Sequence, residues 1–221
     1  MDAHLTDEEK LAEVKKWWGE NGGSIITGVV LGLAVLFGGK AWFAYQERNA
    51  ETASNIYTTL MTALESGDNQ VVTERAAMLI SDYTGTPYAT LAALALARTS
   101  IEAGELAAAR SHLQWVLDNS DSGIMRDTAR LRMARVLVAM GDLDAARALL
   151  DQATSGTAFD PLYNEVRGDI DAARGDLTAA GKAYRAALDA TAENAPGRHL
   201  LQLKYDSTLV AAAAAPAGES E

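Results

Sequence analysis

The residues best able to do chemistry in this chain are three histidines, His4, His112 and His199, and a large set of carboxylates and arginines. The histidines are scattered, and no serine–histidine–acid set appears in local motif form. Neither H-E-x-x-H nor G-x-x-x-x-G-K-[ST] occurs, and Gly38-Gly39 belongs to an apolar run instead of a phosphate loop. The absence of cysteine excludes disulfides, thiol chemistry and cysteine–zinc sites. The carboxylates sit mostly on helix surfaces or just after turn glycines, where solvation and capping explain them. No catalytic residue, cofactor or metal is expected, so the chain reads as a non-enzyme.

What remains is binding chemistry, and it recurs with a period. Three segments align without gaps: EAGELAAARSHLQWVL, AMGDLDAARALLDQAT and ARGDLTAAGKAYRAAL. Their motif glycines, Gly104, Gly141 and Gly175, lie 37 and 34 residues apart. Each is followed by an acid and a leucine. Ala109, Ala146 and Ala180 sit five residues beyond each glycine, and Leu113, Leu150 and Tyr184 sit nine beyond. Ala97, Ala134 and Gly168 lie seven before. A glycine ends one helix in a left-handed conformation, and the acid favours the start of the next. Small residues let the two helices approach, while the large apolar residue fills the gap between them. Such a hairpin cannot bury its apolar side alone, so it stacks on its neighbours. This is the tetratricopeptide pattern.

A degenerate fourth unit precedes it around Gly67-Asp68, with a second helix QVVTERAAMLISDY ending at TGTPY, where Pro87 opens the next helix. Pro196 is expected to start a closing helix, Gly197 to Val210, whose Leu200, Leu203 and Tyr205 cover the last repeat. The tail, residues 211–221, shows no clear amphipathic face and is expected to be at least partly disordered.

Stacked repeats curve, and their first helices line the concave side. Arg98 and Arg135 each lie six residues before their glycine, so they should project in one row. Leu94 and Leu131 lie a turn earlier, and the next unit puts Glu165 and Asp169 at the corresponding places. These six residues are the expected protein-binding groove. The competing reading pairs the arginines with neighbours such as Glu102 and puts the leucines in the core. Met125, Met133 and Met140 read as gap-filling core.

The elements that must position this domain begin at the N-terminus. Asn21 to Gly39 carries no charge, and apolar character resumes after Lys40 as far as Tyr45. A bilayer core of roughly 30 Å needs about 20 mostly apolar helical residues. Trp17 and Trp18 precede the run, and Trp42 and Tyr45 close it. About 25 residues at 1.5 Å each separate the two aromatic groups by roughly 37 Å, matching two membrane–water interfaces. An acidic leader and a poor cleavage site indicate an uncleaved signal-anchor over a removed signal peptide. Within the span Ser24, Gly28 and Gly32 recur every four residues, a spacing that lets another helix approach closely.

The leader carries a capping box, Thr6-Asp7-Glu8-Glu9, then Leu11, Val14, Trp17 and Trp18 on one face. Gly22-Gly23 can end this helix, which reads as a short amphipathic segment on the membrane surface or a docking element. Lys10, Lys15 and Lys16 on the N-terminal side outnumber Lys40, near the end of the apolar run, and Arg48 shortly after it, favouring a cytoplasmic N-terminus. Of the net charge of −11, residues 1–20 carry −3 and the anchor +1, leaving −9 on the remainder. So acidic a domain disfavours nucleic-acid or anionic-lipid binding as its main activity.

The run EVKKWWGENGGSIITGVVLGLAVLFGGKAWFAYQ, followed by these repeats, closely resembles the YfgM family of bacterial inner-membrane proteins, the ancillary subunits of the SecYEG translocon. The resemblance covers nearly the whole chain. It implies an all-α, single-pass type II inner-membrane protein: a cytoplasmic leader (1–23), a transmembrane signal-anchor (24–45) and a periplasmic tetratricopeptide-repeat α-solenoid (46–210), ahead of the tail (211–221) whose composition reads as disordered. It also implies association with SecYEG, pairing with a membrane-anchored periplasmic chaperone of the prolyl-isomerase class, and the passing on of exported client proteins. The alternative is a cell-envelope organiser or a cell-division or stress-signalling coordinator acting through protein contacts.

Overall fold

The computed structural model describes residues 7–214, and among these there are nine helices and no strand. They are α1 (Asp7–Ser66), α2 (Asn69–Asp82), α3 (Pro87–Glu102), α4 (Leu106–Asn119), α5 (Gly123–Ala139), α6 (Leu143–Asp151), α7 (Asp160–Ala173), α8 (Leu177–Asp189) and α9 (Arg198–Ala214). By its contacts the chain divides into two units, with the boundary between Thr52 and Ala53.

The first unit is helical from Asp7 onward, and here one expectation fails. Gly22 and Gly23 do not end a leader helix, because α1 runs straight through them. A glycine inside a helix costs only about 1 kcal/mol, too little to break a hydrogen-bond ladder that continues on both sides. The Asn21 side chain donates back to the Trp17 carbonyl (3.0 Å), and the Thr27 hydroxyl to that of Gly23 (2.9 Å). Gly22 also makes room for an indole, since a Cβ there would lie 3.2 Å from the Trp18 ring. The expected capping box rests on Thr6, outside the described residues. Farther along, Ile26, Val29, Val30 and Leu31 point in successive directions around the helix, and all are exposed. No protein covers this segment, and it is long and apolar enough to cross a membrane.

The second unit is a stack of helical hairpins. Ala53, Leu60 and Ala63 of α1 share a buried cluster with Val72, Ala76 and Leu79 of α2 and with Ala92 and Leu96 of α3. The end of α1 is therefore the first helix of the degenerate repeat. The pairs α3/α4, α5/α6 and α7/α8 follow, and α9 closes the stack. At each hairpin turn the glycine takes a positive φ: +74° at Gly67, +76° at Gly104, +79° at Gly141 and +82° at Gly175. The next residue's N–H reaches back five positions, as in Glu105 to Ser100 (2.8 Å) and Asp142 to Leu137 (2.9 Å). This is the Schellman closure. Asp68, Asp142 and Asp176 then cap the following helix through their carboxylates. Glu105, one methylene longer, forms no such bond.

The spacing read from the sequence is the packing code. Ala97, Ala109 and Leu113 in one hairpin, and Ala134, Ala146 and Leu150 in the next, are fully buried. The third hairpin exchanges volumes. Gly168 stands where the others have alanine, and Tyr184 where they have leucine. A Cβ on Gly168 would meet the Tyr184 ring at 2.4 Å.

The closing helix packs Tyr205 on the last repeat as expected, but its leucines differ from the expected register. Gly197, at φ +84°, is its lead-in and not its first turn. Leu200 and Leu203 are 58% and 51% exposed, whereas Leu201 and Thr208 are 6% and 3%. Two contacts set this face. Lys204 reaches two carboxylates on α7, and Thr208 lies close against Gly181 of α8, where a Cβ would sit 2.9 Å from its hydroxyl. Of the tail expected to be disordered, residues 211–214 continue α9, in keeping with alanine's high helix propensity. Residues 215–221 lie outside the described residues.

Helix propensity alone predicts that Gly168→Ala stabilises by about 1 kcal/mol. The overlap with Tyr184 reverses the sign, because overpacking a filled core costs about 1–3 kcal/mol. Urea unfolding of the protein in mild detergent, followed by circular dichroism, should show a lower midpoint for Gly168→Ala. Adding Tyr184→Leu, which recreates the alanine–leucine pair of the other hairpins, should recover part of that loss. A higher midpoint for the single variant would refute this account of the interlock.

Candidate interaction surface

The structure separates the six groove candidates into three groups. Leu94 and Leu131 are each only 7% exposed and belong to the main core cluster. They pack the stack and present no surface to a partner, in line with the competing reading of the sequence.

Arg98 and Arg135 do come together. Both line one hollow of about 350 Å³ between α3 and α5, with Ile101, Glu102, Leu106, Arg132, Val136 and Ala139. Arg98 is exposed and pairs along its own helix with Glu102 (2.7 Å), as the competing reading also had it. An exposed pair of this kind is worth a few tenths of a kcal/mol and leaves the guanidinium free to exchange partners. Arg135 approaches Glu165 of α7 at 3.6 Å.

Glu165 and Asp169 already have an occupant. The Lys204 ammonium of α9 donates to Glu165 (2.7 Å) and to both oxygens of Asp169 (2.8 and 3.0 Å). The Tyr184 hydroxyl donates to Asp169 as well (2.8 Å), and Lys204 lies 5.9 Å from the centre of the Tyr184 ring. Burial alone would lower the Lys204 pKa. The hydrogen bonds and charges of Asp169 and Glu165 outweigh it and hold the ammonium above its ordinary value. The acidic end of the expected row is thus closed from within the chain, and the basic end is open.

The remaining polar groups are structural. Burial, with its bond to Asp127, pushes the Tyr163 phenol up to about 12, so it stays protonated and donates from α7 to Asp127 of α5 (3.0 Å). Burial likewise raises Tyr184. Arg147 pairs with the nearly buried Asp171, and Arg174 with Asp144, tying α6 to α7. Burial holds His112 of α4 below its ordinary value, and it stands apart from His199 of α9. His4 lies outside the described residues. Sequence reading missed Arg132, Ile101 and Lys204. The i,i+3 spacing of Arg132 and Arg135 on one helix face was the available signal for the first.

These features define an α-solenoid of tetratricopeptide type carrying one N-terminal helix fit to cross a membrane. The family described as a tetratricopeptide repeat-like domain matches residues 15–209. The chain is 30% identical to the ancillary SecYEG translocon subunit of Haemophilus influenzae over 85% of its length and 91% of that protein. It is 30% identical to the protein of the same name in Neisseria gonorrhoeae (94% and 99%) and 29% identical to that in Escherichia coli (85% and 90%). No solved structure matches. The chain belongs to the family of ancillary SecYEG translocon subunits, the YfgM family.

Lys204→Met removes the only cation within bonding distance of Asp169 among the described residues. Charge-assisted hydrogen bonds of this kind are worth about 1.5–3 kcal/mol each, so stability at neutral pH should fall by about that much. The pH dependence has a definite sign. A lysine whose folded pKa is raised contributes fully below its ordinary value of 10.5 and loses that contribution as pH rises through the folded value. Urea midpoints of wild type and variant should keep a constant gap from neutral to mildly alkaline pH and converge above it. A gap that closes already near neutrality would count against the Lys204 contact.

Proposed function

We propose that this chain is a non-enzymatic scaffold in the bacterial inner membrane, associated with the SecYEG translocon. Its span, residues 24–45, holds the leader (1–23) in the cytoplasm and the repeat domain (46–210) in the periplasm. The span meets membrane partners through Ser24, Gly28 and Gly32. The repeat domain takes up a membrane-anchored periplasmic chaperone of the prolyl-isomerase class, and exported client proteins pass from the channel to that chaperone. The observation that carries this reading is a helix apolar on every side joined to stacked repeats with an open basic hollow, in a chain whose relatives are named ancillary SecYEG translocon subunits.

The physical role needs no covalent step. A tether at the channel exit turns capture of an emerging chain into a nearly intramolecular event, with effective concentrations on the order of millimolar for short links. Tetratricopeptide surfaces supply contacts, and the lysines ahead of the span favour a cytoplasmic N-terminus.

Orientation is tested in spheroplasts of the source bacterium. Protease added outside should degrade the domain beyond Gln46 and spare a small N-terminal fragment. Full protection of the repeat domain, with the outer membrane opened, would place it in the cytoplasm and end this reading.

The translocon contact is tested by Gly28→Leu with Gly32→Leu. A Cβ at either glycine meets nothing within 4 Å in the chain itself, and leucine keeps the segment hydrophobic. Insertion should survive, while co-purification of SecYEG in mild detergent should weaken. Unchanged recovery would reduce the small-residue face to composition. Failure of SecYEG to accompany even the wild type would favour the envelope-organiser alternative.

A further inference from the structure

We propose that the hollow between α3 and α5 receives a protein segment in which a carboxylate stands beside an apolar side chain, and that Arg132 is its principal anchor. This rests on the scaffold reading and names the partner chemistry of its repeat surface. Arg132 is half-buried on α5 and lines the hollow, yet it makes no ion pair or hydrogen bond among the described residues. A guanidinium has five donors and always carries its charge, and none of the Arg132 nitrogens is cut off from solvent, so they stay open to a ligand carboxylate that enters the hollow.

Its neighbour Arg135 is also poorly satisfied. Its ion-pair partner, Glu165, is 3.6 Å away and is held more closely by Lys204, at 2.7 Å. Two guanidiniums three residues apart on one helix face thus stand ready for the same acid, with a fork geometry suited to a carboxylate. Arg98 borders the hollow from α3.

The floor supplies the second half of the recognition. Ile101, 38% exposed, lines the hollow together with Leu106, Val136 and Ala139. About 350 Å³ admits one or two apolar side chains and not a folded domain. The surrounding charge selects the class of partner. In a part of the chain that carries −9 overall, three arginines against one glutamate, Glu102, give the hollow an excess of positive charge. A polyphosphate would be repelled by the rest of the surface, whereas a short acidic segment meets that excess alone. The stack itself shows the arrangement in mirror charge. At the next position Lys204 of α9 lies on Glu165 and Asp169, a helix delivering one charge to a pair of opposite charges.

The probe is a short fluorescein-labelled peptide of glutamates with spaced leucines, titrated by anisotropy into the full-length protein in mild detergent. Two control peptides replace the glutamates by lysine or the leucines by serine. Wild type should prefer the glutamate–leucine peptide over both. Arg132→Gln should weaken it by about tenfold or more, as loss of a charge-assisted contact requires. Ile101→Ser, a milder surface change on the other helix, should weaken it too. Arg110→Glu on the exposed face of α4 should not, and circular dichroism should show unchanged helix content throughout. Equal binding of the lysine peptide, or wild-type affinity in both Arg132→Gln and Ile101→Ser, overturns the inference. SecYEG recovery on the same preparations separates the two readings. Its loss from wild type would count against the scaffold alone, because the peptide titration contains no translocon.

Discussion

The stack depends on how closely the two helices of each hairpin can approach, and that distance is set by a pair of side chains. Ala97 with Leu113, and Ala134 with Leu150, are fully buried in one cluster at the repeat positions where Gly168 and Tyr184 meet in the third hairpin. Close packing leaves little tolerance, since an extra methylene must be accommodated by a rotamer or backbone shift. The third hairpin shows that the sum matters more than either member. With Tyr184 on one helix, the facing residue has retreated to Gly168. The exchange also brings a hydroxyl into the interface, and that hydroxyl bonds Asp169. Packing and polarity meet at this one pair, where the last repeat adjoins the closing helix.

Electrostatics then distinguishes the two ends of the row. At its C-terminal end the acids on α7 are neutralised by Lys204, so α9 caps the stack through charge as well as through Leu201 and Thr208. A solenoid needs such a cap, because its last repeat would otherwise leave an apolar side uncovered. In the preceding repeats, the arginines on α5 and α3 border a hollow instead. Glu165 joins the two ends: its Oε1 takes the Lys204 ammonium at 2.7 Å, and its Oε2 lies 3.6 Å from Arg135.

Local rules carried much of this to the reader of the sequence. The turn glycines, the acids behind them and the small–large spacing are set by backbone geometry within a single hairpin, and all are visible in a linear pattern. The apolar run is legible for a similar reason, since a segment apolar on every side has no face to hide. What failed was whatever depended on a competitor. Gly22-Gly23 looked like a stop because glycine permits one, but continuation costs less when both flanks are helical. The face of α9 could not be chosen from its leucines, because Leu200, Leu201 and Leu203 offer several apolar stripes. A lysine's attraction to two acids some 35 and 39 residues upstream selected among them.

The same distinction explains the partial legibility of the candidate surface. Arg98 and Arg135 were placed by repeat periodicity, and they do border one hollow. Periodicity cannot say which member of a row is already engaged, because engagement depends on residues outside the repeat unit. Leu94 and Leu131 share the offset of Glu165, yet the leucines are swallowed by the core and the glutamate is drawn to α9. Arg132 breaks the repeat altogether: its counterparts nine residues before the other motif glycines are Ala95 and Val166. A charge that replaces an apolar residue at a half-buried repeat position has lost the packing role of its counterparts. The other partly buried arginines all have partners, an acid for Arg75, Arg130, Arg147 and Arg167 and backbone carbonyls for Arg198, so its lack of one is the feature that packing leaves unexplained.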